Sequence, residues 1–254
     1  MLYTRNLTYH PPVSAKPILN GVNLEIAPQQ MGLVIGPSGS GKTTLLEILA
    51  GLAEKTSGEI CWREQKLDSL YLQQLSGLVF QFPERHFCCS TILEELRLGH
   101  PELSSDRIRD ALTEVGLESL PLNTAPHFLS GGQQRRLAFA VQLIRQPHLL
   151  LLDEPTAGLD WSMRQQLTSL LAKLKNHWSL LVVSHDANEL VSIADCCWTL
   201  NQGELVSVDA ATLRGRSPLD APLANAEAAQ KAYQNLTGWQ EESSTRPSGI
   251  GTED

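Results

Sequence analysis

An α/β fold is predicted for this 254-residue chain, built as a mixed sheet core with an antiparallel edge sheet and a helical subdomain. Three observations predict it. The apolar run Met31-Gly32-Leu33-Val34-Ile35 passes straight into a glycine-rich turn and then a helical pattern. A second apolar run, Leu149-Leu150-Leu151-Leu152, ends in the carboxylates Asp153 and Glu154. Between the two runs, residues 90–128 change to helical spacing. Apolar runs of strand length alternating with helices mark a parallel sheet covered on both faces.

The elements follow in chain order. Residues 2–35 alternate as strands with turn signals at Pro11-Pro12 and Pro28-Gln29, which predicts the antiparallel edge sheet. Gly36-Pro37-Ser38-Gly39-Ser40-Gly41-Lys42-Thr43 fits G-x-x-x-x-G-K-[ST]. Its glycines let successive N–H groups turn toward phosphate oxygens. Lys42 adds positive charge for the β- and γ-phosphates, and the Thr43 hydroxyl can ligate Mg²⁺. The helix predicted from Thr44 completes the anion site with its N-terminus. A strand before the loop and a helix after it set this match apart from a chance Gly/Ser turn.

The core resumes at Ile60-Cys61-Trp62 and at Gly77-Leu78-Val79-Phe80. Ile92, Leu93, Leu96, Ile108, Ala111, Leu112 and Val115 recur at three and four, predicting the helical lobe. Leu129-Ser130-Gly131-Gly132-Gln133 then precedes apolar positions Leu137, Ala140, Val141 and Ile144, with Ser130 where an N-cap belongs. That offers a second helix N-terminus to an anion, although by itself the motif is equally a plain helix start. Leu149 to Leu152 reads as a strand buried on both faces whose end opens on the ligand crevice. There Asp153 would hold Mg²⁺ through water and Glu154 would polarise an attacking water. Residues 165–174 read as an amphipathic helix, and residues 180–184 and 198–200 as strands.

Taken together, the phosphate loop, the Asp-Glu strand and Leu129 to Gln133 resemble the ATP-binding subunit of an ATP-binding cassette (ABC) transporter, a P-loop NTPase, over residues 2–208. Leu129 to Gln133 matches the family's signature sequence. The resemblance implies ATP and Mg²⁺ as ligands. It makes Tyr9 the aromatic that stacks on adenine, and Gly36 to Thr43 with Thr44 the phosphate cradle. Thr43, Gln81 and Asp153 become the groups around Mg²⁺; Glu154, Gln81 and His185 become the catalytic set. Ser130, Gly131, Gly132, Gln133 and Asp160 become the groups that meet the nucleotide of a partner subunit. A strand-end Tyr or His is by itself equally a packed or surface residue, so the resemblance carries Tyr9 and His185. No functional position in the set is replaced, which implies a hydrolysing subunit.

The implied partners are integral membrane transporter subunits and a second ABC ATPase subunit, in a homo- or heterodimer. The implied location is cytoplasmic, peripheral on the inner face of the cell membrane. Phe80-Gln81-Phe82-Pro83-Glu84-Arg85-His86-Phe87 is similar to the Gln-loop of energy-coupling-factor and cobalt-type importers, which implies a metal ion or vitamin as cargo; His86 stands where that subfamily usually has Gln. The alternative is a soluble ABC ATPase of DNA repair, translation or cluster assembly. Repair members carry a long coiled-coil or zinc insertion and translation members carry two cassettes, and this sequence shows neither.

Composition agrees. An apolar content of 42% supports a substantial core, and no apolar stretch approaches the ~18–20 residues of a membrane span. The net charge of −8 and pI near 5.4 leave no basic footprint for nucleic acid. Cys61, Cys88, Cys89, Cys196 and Cys197 lack C-x-x-C spacing, which suits reduced thiols. Domain boundaries are expected at 1–208 for the cassette, with a helical subdomain over about 90–145. The extension 209–254 is expected to be partly helical, then disordered from 237 where Ser, Thr, Gly, Pro and Glu dominate.

Overall fold

The strand that leads into the phosphate loop lies inside the larger of two sheets, and the topology of that sheet decides where the loop sits. The computed structural model describes residues 1–185 and 189–209; the helix expected over 210–233 and the disorder expected over 237–254 lie outside the described residues.

The chain begins with β1 (Leu2–Tyr9), β2 (Leu19–Val22), β3 (Glu25–Ile26) and β4 (Met31–Ile35), then α1 (Lys42–Leu49), β5 (Ser57–Trp62) and β6 (Gln65–Lys66). Strands β2, β1, β5 and β6 lie side by side with β3 on β1, and every pairing is antiparallel. The expected edge sheet is therefore present, but β5, read from sequence as a return to the core, belongs to it. Cys61 pairs with Tyr3, a long-range choice that local pattern does not contain.

After α2 (Ser69–Leu75) and β7 (Ser76–Val79) comes the helical lobe: α3 (Ile92–Arg97), α4 (Ser105–Glu114) and α5 (Gly131–Leu143). Gly99, Pro101, Gly116 and Pro121 break the helical pattern of 90–128 into two short helices and a final 3₁₀ turn at Pro126–Phe128. Each helix is started by a side chain. Thr91 and Glu94 form a capping box on α3, Ser104 caps α4, and Ser130 with Gln133 forms a second capping box on α5.

The chain closes with β8 (Leu149–Asp153), α6 (Trp161–Leu174), β9 (Ser179–Ser184), β10 (Cys196–Asn201) and β11 (Glu204–Val208). The second sheet runs β11-β10-β4-β9-β8-β7, parallel except for the hairpin strand β11. Helix α6 starts four residues before the apolar pattern of 165–174 because the Asp160 carboxylate accepts the Met163 N–H at 2.8 Å.

The period of two in β8 and β9 feeds two cores. Leu150, Leu152, Leu180 and Val182 face the helical side with Leu137 and Phe139. Leu149, Leu151, Leu181 and Val183 face α1 and the antiparallel sheet with Leu45, Leu46 and Leu49. A sheet buried on both faces requires apolar residues at every position, which is why β8 reads as an unbroken run. Phe139 is fully buried in the first core, so Phe139→Ala would cost about 3–5 kcal/mol. All five cysteines are free thiols, and burial pushes Cys196 up to about 12.

Candidate functional site

Register brings four strand ends to one edge. Ile35 pairs with Ser184, Val183 with Asp153, and Leu152 with Val79. The next residues along each strand, Gly36, His185, Glu154 and the Phe80-Gln81 pair, therefore leave the sheet at its carboxyl edge, where parallel α/β sheets bind ligands.

The phosphate loop is shaped by its glycines. A Cβ on Gly36 would lie 2.3 Å from the Leu200 carbonyl oxygen, so β10 approaches too closely for any side chain. Gly41, at φ 103°, is the N-cap of α1 and packs on Ile18 and Leu19 at the start of β2. Pro37 accepts the Ser40 N–H at 3.2 Å, closing the turn, while Ser38 and Gly39 are exposed at its tip. Lys42 folds back over the loop: Nζ donates to the Gly36 carbonyl at 2.8 Å and the Pro37 carbonyl at 3.1 Å, and lies 3.4 Å from Glu154 Oε1. Tyr9 is half-buried opposite Leu19 in the register of β1 and β2, which sets it behind Gly41. Thr44 follows on the first turn of α1.

The two carboxylates have different surroundings. Thr43 Oγ1 donates to Asp153 Oδ2 at 2.8 Å, while Oδ1 of Asp153 and Oγ of Ser40 are buried with no hydrogen-bond partner among the described residues. Burial raises the Asp153 carboxyl above its ordinary value of 3.8, against the lowering pull of the Thr43 hydroxyl. Glu154 is surrounded by donors instead. Its Oε2 accepts from Ser184 Oγ at 3.3 Å and the His185 N–H at 3.1 Å, and lies 2.6 Å from His185 Nδ1. Its backbone sits at φ 47°, the left-handed region that a non-glycine residue rarely occupies.

These groups fit a magnesium nucleotide. Orphaned Ser40 Oγ and the first N–H groups of α1 suit phosphate oxygens. Thr43 Oγ1 and unpaired Asp153 Oδ1 suit a hard cation. Mg²⁺ is usually bound by one or two protein oxygens plus phosphates and water, and Thr43 and Asp153 could supply those protein oxygens.

Ser130, Gly131, Gly132 and Gln133 lie elsewhere. Ser130 Oγ accepts the Gln133 N–H at 3.3 Å and Gln133 Oε1 accepts the Ser130 N–H at 3.0 Å. Open space lies beside Gly131, and a Cβ on Gly132 would come within 3.4 Å of Met163 Sδ, so this corner adjoins Asp160. Among the described residues no hydrogen bond or ion pair joins 130–133 to 36–44. Gln81 is exposed, and the ring of the following Phe82 would stand 3.4 Å from a Cβ on Gly158, so the Gln81 loop meets the loop leading to Asp160. One residue the sequence reading misses is Arg135. It is 5% exposed, and its Nη1 donates to Pro155 O at 2.6 Å and Ala157 O at 3.0 Å. Its place on the helix after Ser130 is the only signal, and nothing local distinguishes it from Arg136.

A phosphate cradle at one edge, with a capped helix start held apart from it on a separate lobe, defines the ATP-binding cassette class of ATPases. The chain belongs to the ABC transporter family: the family profile described as "ABC transporter" matches residues 19–157, over half of the chain. It is 45% identical over 215 residues to ABC transporter I family member 11, chloroplastic, of Arabidopsis thaliana, spanning 78% of this chain and 77% of that one. It is 32% identical over 219 residues to the energy-coupling factor transporter ATP-binding protein EcfA of Methanothermobacter thermautotrophicus, covering 82% and 70%. Among solved structures it resembles the ATP-binding cassette MJ0796, a dimer in a post-hydrolysis state bound to ADP and Pi, with TM-score 0.69 and 30% identity over 82% of this chain and 99% of that one. The chain is thus an ATP-binding and ATP-hydrolysing subunit of the ABC transporter type.

Proposed function

We propose that this ATPase binds Mg-ATP between Gly36 to Thr44 of one cassette and Ser130 to Gln133 of a second, and so drives separate membrane subunits of an importer. The observation that carries the reading is the separation within one chain: Ser130 and Gly131 at the capped start of α5 are exposed, and among the described residues no hydrogen bond ties them to their own phosphate loop. A second cassette supplies what each cradle lacks. A γ-phosphate would then lie between two helix N-termini and Lys42, so ATP favours the closed pair and its hydrolysis releases it.

The geometry around the phosphate loop and the family resemblance together support the following roles. Backbone N–H groups of the loop hold the phosphates, Lys42 exchanges its contacts with Gly36, Pro37 and Glu154 for the β- and γ-oxygens, and Tyr9 stacks on adenine. Thr43, Asp153 and Gln81 would hold Mg²⁺, which when bound neutralises charge on the phosphate oxygens. Glu154 takes the proton of the attacking water as the bond from the γ-phosphorus to its bridging oxygen breaks. His185 fixes the Glu154 carboxylate and reaches the γ-phosphate, while Asp160 contacts the partner cassette.

The cassette occupies 1–208, ending with β11, and 209–254 forms the extension. The Gln-loop, together with a relative named for the energy-coupling factor, supports a metal ion or vitamin as cargo. No described helix is long and apolar enough to cross a membrane; peripheral docking on the cytoplasmic face would run through the protein partners.

Glu154→Gln tests the reading. It keeps shape but loses the proton acceptor, so cleavage should slow about 10²-fold or more while ATP still binds. The variant should elute as an ATP-dependent dimer that Ser130→Arg abolishes. A monomer at high concentration with Mg-ATP would overturn self-pairing and favour a heterodimer. Co-purification with a polytopic membrane protein is the expected result for a transporter subunit; purification from membranes and lysate without one would overturn it.

A further inference from the structure

Glu154 holds a backbone conformation that its side chain disfavours, and the protein must supply the restraint. At φ 47° it is one of the few non-glycine residues in the left-handed region, where the Cβ crowds the following carbonyl. Such a residue persists only where its surroundings over-determine it. Upstream, its N–H is held by Val183 O at 2.9 Å; downstream, its carbonyl accepts the Ala157 N–H at 3.0 Å. The turn between also receives a side chain from another lobe. Arg135 Nη1 takes the Pro155 and Ala157 carbonyls together, at 2.6 and 3.0 Å. Pro155 and Thr156 are buried, so water does not readily replace this donor, and unpaired buried carbonyls are costly. A lysine ammonium would be a poorer substitute, because the guanidinium is planar and presents its donors in a fixed fork.

Arg135 lies on the same helix as Ser130, within the first two turns. The guanidinium is therefore a rigid connection between the corner that carries Ser130 and the turn that aims Glu154. We infer that Arg135 is a positioning residue for the Glu154 carboxylate: it aligns that carboxylate only while α5 is seated against residues 155–157. Movement of the helical lobe then reaches the hydrolytic site of the same chain through two hydrogen bonds. The inference rests on the proposed role of Glu154 in hydrolysis.

Arg135→Lys and Arg135→Gln in the full-length protein test it, each alone and combined with Glu154→Gln. Steady-state turnover, ATP affinity from a fluorescent nucleotide, single-turnover cleavage and thermal unfolding are the readouts. Arg135→Lys should lower kcat at least about tenfold, the scale on which small misplacements act, with ATP affinity within about twofold. In the Glu154→Gln background the same change should alter residual cleavage by less than about twofold, since residues acting as a unit are not additive. Equal fold-losses in both backgrounds, a loss confined to ATP affinity, unchanged kcat, or unfolding of both Arg135 variants would overturn the inference. Normal turnover by Glu154→Gln alone would instead overturn the role of Glu154.

Discussion

Nδ1 of His185 lies 2.6 Å from Oε2 of Glu154, while Oε1 of the same carboxylate faces Lys42 Nζ at 3.4 Å. One carboxylate thus joins the end of β9 to the phosphate loop. Glu154 is nearly buried and the His185 side chain is 54% exposed, so the imidazole can meet a ligand on its free side while its inner nitrogen fixes the acid.

His185→Ala should therefore lower kcat by about 10–100-fold with little change in ATP affinity, because it loosens the carboxylate and leaves the cradle intact. Steady-state kinetics read against nucleotide titration check it. A change confined to KM would place His185 in uniform binding instead.

Lys42→Ala should abolish hydrolysis and weaken ATP binding, since the β- and γ-phosphates lose their side-chain counter-ion. It should also destabilise the nucleotide-free protein by on the order of 3 kcal/mol, because one half of a buried ion pair remains. Turnover assays and denaturant unfolding give the two readouts, and unchanged turnover would remove the phosphate-loop assignment.

Asp153→Asn should trade activity for stability. Because the folded carboxyl is raised above 3.8 by burial, the folded chain binds this proton more tightly than the unfolded one. The residue therefore costs stability above its folded pKa, and that cost is relieved as pH falls through it and gone below the ordinary value. The variant should melt higher near neutral pH, by roughly 2–4 °C for each kcal/mol gained. Its advantage over the parent should shrink on acidification, and hydrolysis should be lost. Calorimetry across a pH series checks the sign, and a gap that widens on acidification would contradict it.

The glycines of the loop should respond unequally. Gly39→Ala meets open space but sits at φ 78°, so strain of about 1–2 kcal/mol is expected. Gly36→Ala must move the Leu200 carbonyl and β10, and should cost more and also weaken nucleotide binding. Equal effects at both positions would mean that the strand approach is not the constraint.

The phosphate loop, the Asp153-Glu154 strand end and the Ser130 cap were legible because each is local. A G-x-x-x-x-G-K-T turn, an all-apolar strand and a capping box each act within a few residues. Pairing was not legible, since whether β5 joins β1 or the parallel sheet depends on distant partners, Thr8 for Ser57 and Leu2 for Trp62. Helix α2 carries too few apolar positions for a period, and its signal is only the Asp68 cap, which accepts the Tyr71 N–H. The early start of α6 was hidden for the same reason. The family resemblance makes Asp160 a partner contact, while in the fold its carboxylate also caps α6. Arg135 and the left-handed Glu154 were invisible because both are consequences of how two lobes meet.

Among the described residues strand β4 has β9 and β10 as its sheet neighbours, and Gly36 is pressed by Leu200. On a ribosome the motif that begins at Gly36 therefore emerges long before the strands that hold it. At ~5–20 residues per second, the wait from residue 35 to residue 196 is roughly ten to thirty seconds. During that interval Met31 to Ile35 is an apolar segment with two open edges, a site for chaperones or for mispairing with another nascent chain. Translation speed between residues 35 and 201 thus bears on whether the first motif of the protein ever forms.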